Sequence, residues 1–201
     1  MILLQSISRR SLLLGGLLTA FPVSRGMAAP DPRAFINEFW ARSMPFMRSS
    51  IPAAYRLEGI RNLFLSFFDV IPITEFVLGR YKTLATPRQI EDFFALYQEY
   101  TVQTYSRRLS QLEDARLVLQ NVWPHGTETV VGSNVVTPQG ASYRVDWYTV
   151  DRGGAYRISD LVIEGVSLKM AHRNEVARWI EINGGSFASA LAVLRQQIGL
   201  T

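Results

Sequence analysis

The chain of 201 residues has no cysteine, so disulfides are excluded and its fold must rest on core packing. Histidine is nearly absent: His125 and His172 are the only two. A zinc site of the usual cysteine and histidine composition is thereby excluded. Neither histidine has a nucleophile beside it in a recognisable motif, and the chain contains no nucleophile elbow and no phosphate-binding glycine loop. The expectation is therefore no catalytic residue, no metal and no cofactor. No internal repeat or low-complexity segment occurs. Charge of one sign is also missing where it would matter. The formal net charge is +4, from 21 Lys and Arg against 17 Asp and Glu, but Arg9, Arg10 and Arg25 fall in a removable leader. Without them the balance is 18 against 17, a net of +1, which is no electrostatic footprint for nucleic acid.

That leader is residues 1–28. Arg9 and Arg10 precede an apolar run at 12–21, and small residues follow around Gly26, Ala28 and Ala29, the pattern of an export signal. The run is about half the ~20 residues that a bilayer-spanning helix needs, so a cleaved signal is expected and not an anchor. Ser8-Arg9-Arg10-Ser11-Leu12-Leu13 also resembles a twin-arginine signal, with leucine where phenylalanine is usual. Cleavage after Ala28 implies a bacterial periplasm and leaves 29–201. With 48% of its residues hydrophobic, that length supports one domain with a sizeable core.

The clearest β signal is at 143–168. Two runs rich in β-branched and aromatic residues flank Asp151-Arg152-Gly153-Gly154, whose glycines supply the positive φ of a hairpin turn. A loop of two or four residues puts Val145, Trp147 and Thr149 on one face with Ile158, Asp160 and Val162. A loop of three exchanges the partners, because strand side chains alternate with a period of two. Either way one largely apolar face needs a cover.

Helices precede this hairpin. Asp31 suits an N-cap and Pro32 the first helical position, with Phe35, Ile36, Phe39 and Trp40 at helical spacing and Pro45 where the helix should end or kink. Pro52 starts a second helix, broken at 69–72 because the residue before a proline is pushed from helical geometry. A short helix at 73–78 can be closed by Gly79 in the left-handed conformation. Thr86-Pro87-Arg88-Gln89 is the best helix start in the chain, a capping box opening a helix to about Leu109. Its stripe of Ile90, Phe93, Phe94, Tyr97, Thr101, Thr104 and Tyr105 should face the sheet. Strands are expected at 116–122 and 129–136, separated by Trp123-Pro124-His125-Gly126-Thr127, and helices again at 171–182 and from Ser186 to about Gln197. Helices, a four-stranded meander and helices again argue an α+β domain: a four-stranded antiparallel sheet covered on one face by helices.

In this order Phe68-Asp69-Val70, Phe76-Val77-Leu78-Gly79-Arg80-Tyr81, Ala85-Thr86-Pro87, Tyr105 with Arg108 and Leu109, Tyr143-Arg144-Val145-Asp146-Trp147, Ile163-Glu164-Gly165-Val166-Ser167 and Asn183-Gly184-Gly185-Ser186-Phe187 resemble the MlaC family. These are periplasmic phospholipid-binding proteins, also called toluene-tolerance proteins. The resemblance implies an exported carrier with an apolar pocket between sheet and helices. It also implies two partners, an inner-membrane ABC lipid transporter complex and an outer-membrane lipoprotein complex. The hopanoid-associated HpnM branch makes a polycyclic triterpenoid the alternative cargo. The departures here are a very aromatic second helix and Trp123-Pro124-His125 between strands.

The expected pocket wall is Phe76, Leu78, Tyr97, Tyr105, Val145, Trp147, Ile158, Val162 and Val166, each of which could equally be ordinary core. Arg33, Arg42 and Arg48, or Arg107 and Arg108, are candidate basic surfaces for headgroups or an acidic partner. A rival reading is an enzyme of the cone-shaped ketosteroid-isomerase kind, using Asp146 or Asp160 as a general base in the same cavity.

Overall fold

The computed structural model describes residues 31–200. The export signal read at 1–28 lies outside the described residues.

Helix α1, Pro32–Met47, starts as its sequence dictates, with Asp31 accepting from the Arg33 N–H. It runs through Pro45 and ends two residues later. Helix α2, Ala53–Phe67, follows, and its interruption is shorter than the prolines suggest. Only Phe68 and Asp69 leave the helical path: Phe68 bridges to Ile158, and the Asp69 N–H donates to the Ile158 carbonyl at 2.8 Å. Helix α3, Val70–Leu78, takes Pro72 into its first turn, where a missing N–H costs nothing. Gly79 closes it at φ 51°. A 3₁₀ segment, Gly79–Leu84, leads to α4, Pro87–Leu109. There the capping box is formed: Gln89 Oε1 accepts from the Thr86 N–H at 2.9 Å, and Thr86 Oγ1 accepts from the Gln89 N–H at 3.3 Å.

The sheet is antiparallel in the order β1-β2-β3-β4-β5, with five strands where four were expected. They are β1 (Arg116–His125), β2 (Glu128–Val136), β3 (Ser142–Asp151), β4 (Tyr156–Ile163) and β5 (Val166–Ser167). The extra strand is two residues long and pairs only with the end of β4. Strand β1 continues through Trp123-Pro124-His125, which sequence punctuation marks as a connection. As an edge strand it can hold a proline whose missing N–H faces no partner. Helices α5 (Leu168–Glu181) and α6 (Phe187–Gln197) complete the chain.

The β3–β4 hairpin explains how the sheet meets its helices. Asp151 pairs with Tyr156 across a four-residue loop, and Thr149 pairs with Ile158. Then the register slips: Tyr148 pairs with Asp160, leaving Ser159 as an extra residue. A bulge of this kind reverses which β4 residues share a face with β3 beyond it. Leu161 and Ile163 therefore stand opposite Trp147 and Val145, while Val162 pairs with Asp146.

Two apolar cores result. One joins the sheet to α1 and α2 through Phe39, Leu63, Phe64, Phe67, Val131, Val145 and Trp147. The other joins α3, α4, α5 and α6 through Val77, Leu78, Phe93, Tyr97, Trp179 and Leu191. The aromatic stripe of α4 does not lie on the sheet as expected. Its first half, Phe93 and Tyr97, is buried among helices, while Val102 and Leu109 further along pack into the sheet-side core.

Candidate functional site

A cavity of about 240 Å³ lies where the two cores meet. Its floor is the covered side of the sheet, with Val135 on β2, Val145 and Trp147 on β3, and Leu161 and Ile163 on β4. Helices α1 and α2 wall one side with Phe39, Trp40, Ile60, Leu63 and Phe64, and Phe68 and Ile73 continue that wall. Helix α4 contributes Tyr97, Thr101, Val102 and Tyr105, and α5 contributes Leu168, Lys169 and His172. The lining is almost wholly apolar, and the Thr101 hydroxyl within it is spent on the Tyr97 carbonyl at 2.8 Å.

Trp147 organises the floor. It is 4% exposed, its indole N–H donates to Ser133 Oγ at 2.8 Å, and Phe39 packs edge-on against it at 5.5 Å between ring centres. Phe39, Phe64, Phe67 and Phe68 form a chain of tilted and edge-on ring pairs beside it, the arrangement favoured by ring quadrupoles.

Of the residues the sequence nominates for the wall, Tyr97, Tyr105, Val145 and Trp147 line this cavity. The other five do not, and each has a physical reason. Leu78 is fully buried in the helical core. Ile158 lies on the hairpin side of the bulge, opposite Thr149, and Val162 is turned from Trp147 by that bulge. Val166 is 58% exposed on the short β5. Phe76 is stacked under Lys169 and Arg173, 5.2 and 4.9 Å from its ring centre. Residues from α1 and α2 fill the vacated places, above all Phe39, Leu63 and Phe64. Sequence reasoning placed Phe39 on a helix face and noted a very aromatic second helix, and that aromatic content was the available signal.

The cavity opens toward a polar vestibule between α4 and α5, lined by Tyr100, Thr104, Asn174, Glu175 and Arg178. Tyr105, Arg108, Leu168 and His172 belong to both spaces and form the neck. At the neck Tyr97 Oη lies 2.7 Å from His172 Nδ1, and Tyr105 Oη lies 3.2 Å from His172 Nε2. Burial, with Arg108 adding repulsion, pushes the His172 pKa down to about 4, so the imidazole is neutral at ordinary pH. Burial likewise pushes the Tyr105 hydroxyl up to about 12 and raises that of Tyr97 further. His125, by contrast, sits at the β1–β2 turn with its ring against Tyr148.

The two candidate bases are not aimed into the cavity. Asp146 pairs with Arg144 at 3.1 Å and faces away from Trp147. Asp160 reaches the cavity rim, but its oxygens accept from the Leu161 N–H at 2.8 Å, the Lys169 N–H at 3.0 Å and the Ser167 hydroxyl at 2.5 Å. It ties β4 to the first turn of α5. Among the candidate basic surfaces, Arg42 pairs with Glu38 at 2.6 Å and Arg33 bonds the Gln120 carbonyl. Arg108 stands at the neck.

Comparison with known proteins bears on this geometry. The family model described as MlaC protein matches residues 47–196. A toluene tolerance protein, Ttg2D of Pseudomonas putida, is 23% identical over 187 residues, covering 89% of this chain and 85% of its own. Among solved structures, a phospholipid-binding protein from Ralstonia solanacearum, determined in complex with a phospholipid, superposes with a TM-score of 0.71 at 18% identity. That match covers 85% of this chain and 98% of the other.

Proposed function

The chain belongs to the MlaC family, and from that premise we propose that it is a periplasmic lipid carrier. It encloses lipid tails in the cavity beneath Trp147 and ferries them between inner and outer membranes as the soluble component of an ABC-type transport system. An inner-membrane transporter and an outer-membrane lipoprotein complex are its partners in this reading. The observation that carries it is the apolar cavity between sheet and helices, opening through a neck into a polar vestibule. The phospholipid held by the Ralstonia protein points the same way.

Elementary energetics explain why such a protein needs an enclosed site and no catalytic group. Moving ~30 methylenes into water costs on the order of 20 kcal/mol, at ~0.8 kcal/mol each. Bilayer and cavity are both apolar, so handover between them is close to neutral. Direction then comes from partners that prefer the loaded or the empty form. The cavity, about 240 Å³, is below the ~300–1,000 Å³ of pockets that hold drug-sized ligands. Loading must therefore part its walls.

A polycyclic lipid such as a hopanoid is the second reading, favoured by the flat rings of Phe39, Phe64, Phe68 and Trp147 around the site. The enzyme reading has less support, because Asp160 is engaged by three donors and Asp146 is turned away. Organic extraction of the purified protein followed by mass spectrometry tests the proposal. One lipid class at near-equimolar amount is expected, and no lipid from lipid-rich cells would overturn it.

A further inference from the structure

The first turn of α5 and the end of the sheet beside it carry large apolar side chains in the open. Val166 is 58% exposed, Met170 44% and Tyr143 44%. Strand register brings two of them to one place: Val166 pairs with Ile163, Ile163 pairs with Val145, and Tyr143 stands two residues before Val145. Paired strand residues, and residues two apart on a strand, share a face. Tyr143 and Val166 therefore lie on the cavity side of the sheet, outside the wall that Val145 and Ile163 form. Met170 follows on α5, two residues from Leu168 and two from His172, which line the neck. One exposed apolar side chain is ordinary on a protein surface, but three beside one opening call for a partner.

Positive charge stands next to them. The Lys169 ammonium and the Arg173 guanidinium both lie over the Phe76 ring, 5.2 and 4.9 Å from its centre. Arg173 also donates to the Phe76 carbonyl at 3.3 Å, which ties α5 to the end of α3. Neither cation is in an ion pair among the described residues. The carboxylates beside them are engaged elsewhere: Glu164 accepts from the Arg144 N–H, Asp160 is held by three donors, and Glu75 pairs with Lys82 at 2.9 Å. Two like charges over one ring thus leave this side of α5 with positive potential that the protein does not neutralise.

We propose that this face docks the protein onto a bilayer surface bearing anionic headgroups: Tyr143, Val166 and Met170 enter the interface, and Lys169 and Arg173 meet the headgroup charge. Apolar side chains set beside unpaired cations are what an interfacial contact buries and neutralises together, which favours a membrane over an acidic protein. A tyrosine, with its apolar ring and polar tip, suits the headgroup level. Docking in this way brings the neck to the lipid surface. The inference goes beyond the carrier reading, because it concerns a surface outside the cavity.

The test is flotation of the protein, purified from its own periplasm, with vesicles of dioleoyl phosphatidylcholine alone or mixed with an equal part of dioleoyl phosphatidylglycerol. Binding to the anionic vesicles should exceed that to the neutral ones by about tenfold or more, since each cation near such a surface is worth about fivefold. That excess should fall away at high salt, where exposed charges are screened. Lys169→Gln should reduce binding to the anionic vesicles about fivefold and leave binding to the neutral ones as it is. Val166→Ser with Met170→Ser, both exposed changes, should reduce binding to the anionic vesicles by about tenfold. Arg88→Gln, at the far end of α4, should change nothing. Val145→Trp, which fills the cavity, should float as the wild type does, so a failure of the carrier reading leaves this surface standing. Equal flotation with the two kinds of vesicle, or an excess unchanged by Lys169→Gln, would overturn the proposal. Binding lost in Val145→Trp would assign the contact to the cavity and overturn it as well. No flotation with either kind would overturn it and leave an acidic protein as the occupant of this face.

Discussion

The indole N–H of Trp147 donates to Ser133 Oγ at 2.8 Å, across the β2–β3 pair. The Ser133 hydroxyl in turn donates to the Val145 carbonyl at 3.0 Å, so the floor of the cavity carries its polar group fully satisfied. Ser133→Ala would leave a buried indole N–H without a partner, costing about 2 kcal/mol. For a chain of this size that is a fall in Tm of roughly 4–8 °C, measurable by thermal unfolding.

Filling the cavity separates guest binding from folding. Val145→Trp places a large side chain into existing space at the centre of the floor. Overpacking costs ~1–3 kcal/mol where the walls resist, so the protein should remain folded. Co-purifying lipid should fall by about tenfold or more, as quantified in solvent extracts. Undiminished lipid in a folded variant would show that the guest sits elsewhere.

His172 gives a pH dependence with a definite sign. Burial holds its pKa at about 4 in the folded state against the ordinary 6.5 of a free imidazole, so between those values the unfolded chain binds a proton that the folded one does not. Stability from this group is present above pH 6.5 and is lost as pH falls toward 4. The loss is at most about 3 kcal/mol. Urea unfolding at pH 7 and pH 4.5 should show a steeper decline for the wild type than for His172→Gln.

Gly59 of α2 lies directly against the Phe46 ring of α1. A methyl group there would lie 2.0 Å from the Phe46 ring. Alanine normally gains about 1 kcal/mol over glycine within a helix, but here the collision should reverse the sign. Gly59→Ala is expected to destabilise by about 1–3 kcal/mol, and denaturant titration reads it directly.

What could be read from the sequence was mostly local. The Thr86–Gln89 capping box and the Gly79 closure depend on residues within a few positions of one another, and each forms as read; the Gly153-Gly154 turn also forms, with a loop of four residues, one of the lengths the sequence left open. The extra residue at Ser159 is different. Its place is set by hydrogen bonds to the Tyr148 carbonyl and to Glu128 on another strand, and no short stretch announces it. One such slip put Leu161 and Ile163, in place of Val162, beneath the cavity. The course of α4 escaped for a related reason. An aromatic stripe says that a face is buried, and only the packing of α6 and α2 decides against what. The neck was equally hidden, since Tyr97, Tyr105 and His172 come together from positions as much as 75 residues apart.

The central claim is that a water-insoluble guest completes the interior beneath Trp147. Native mass spectrometry of the protein purified from its own periplasm tests it most directly. The account predicts a one-to-one adduct with the mass of a single lipid, released by solvent extraction and much reduced in Val145→Trp. The bare polypeptide mass alone, from cells rich in lipid, would contradict it.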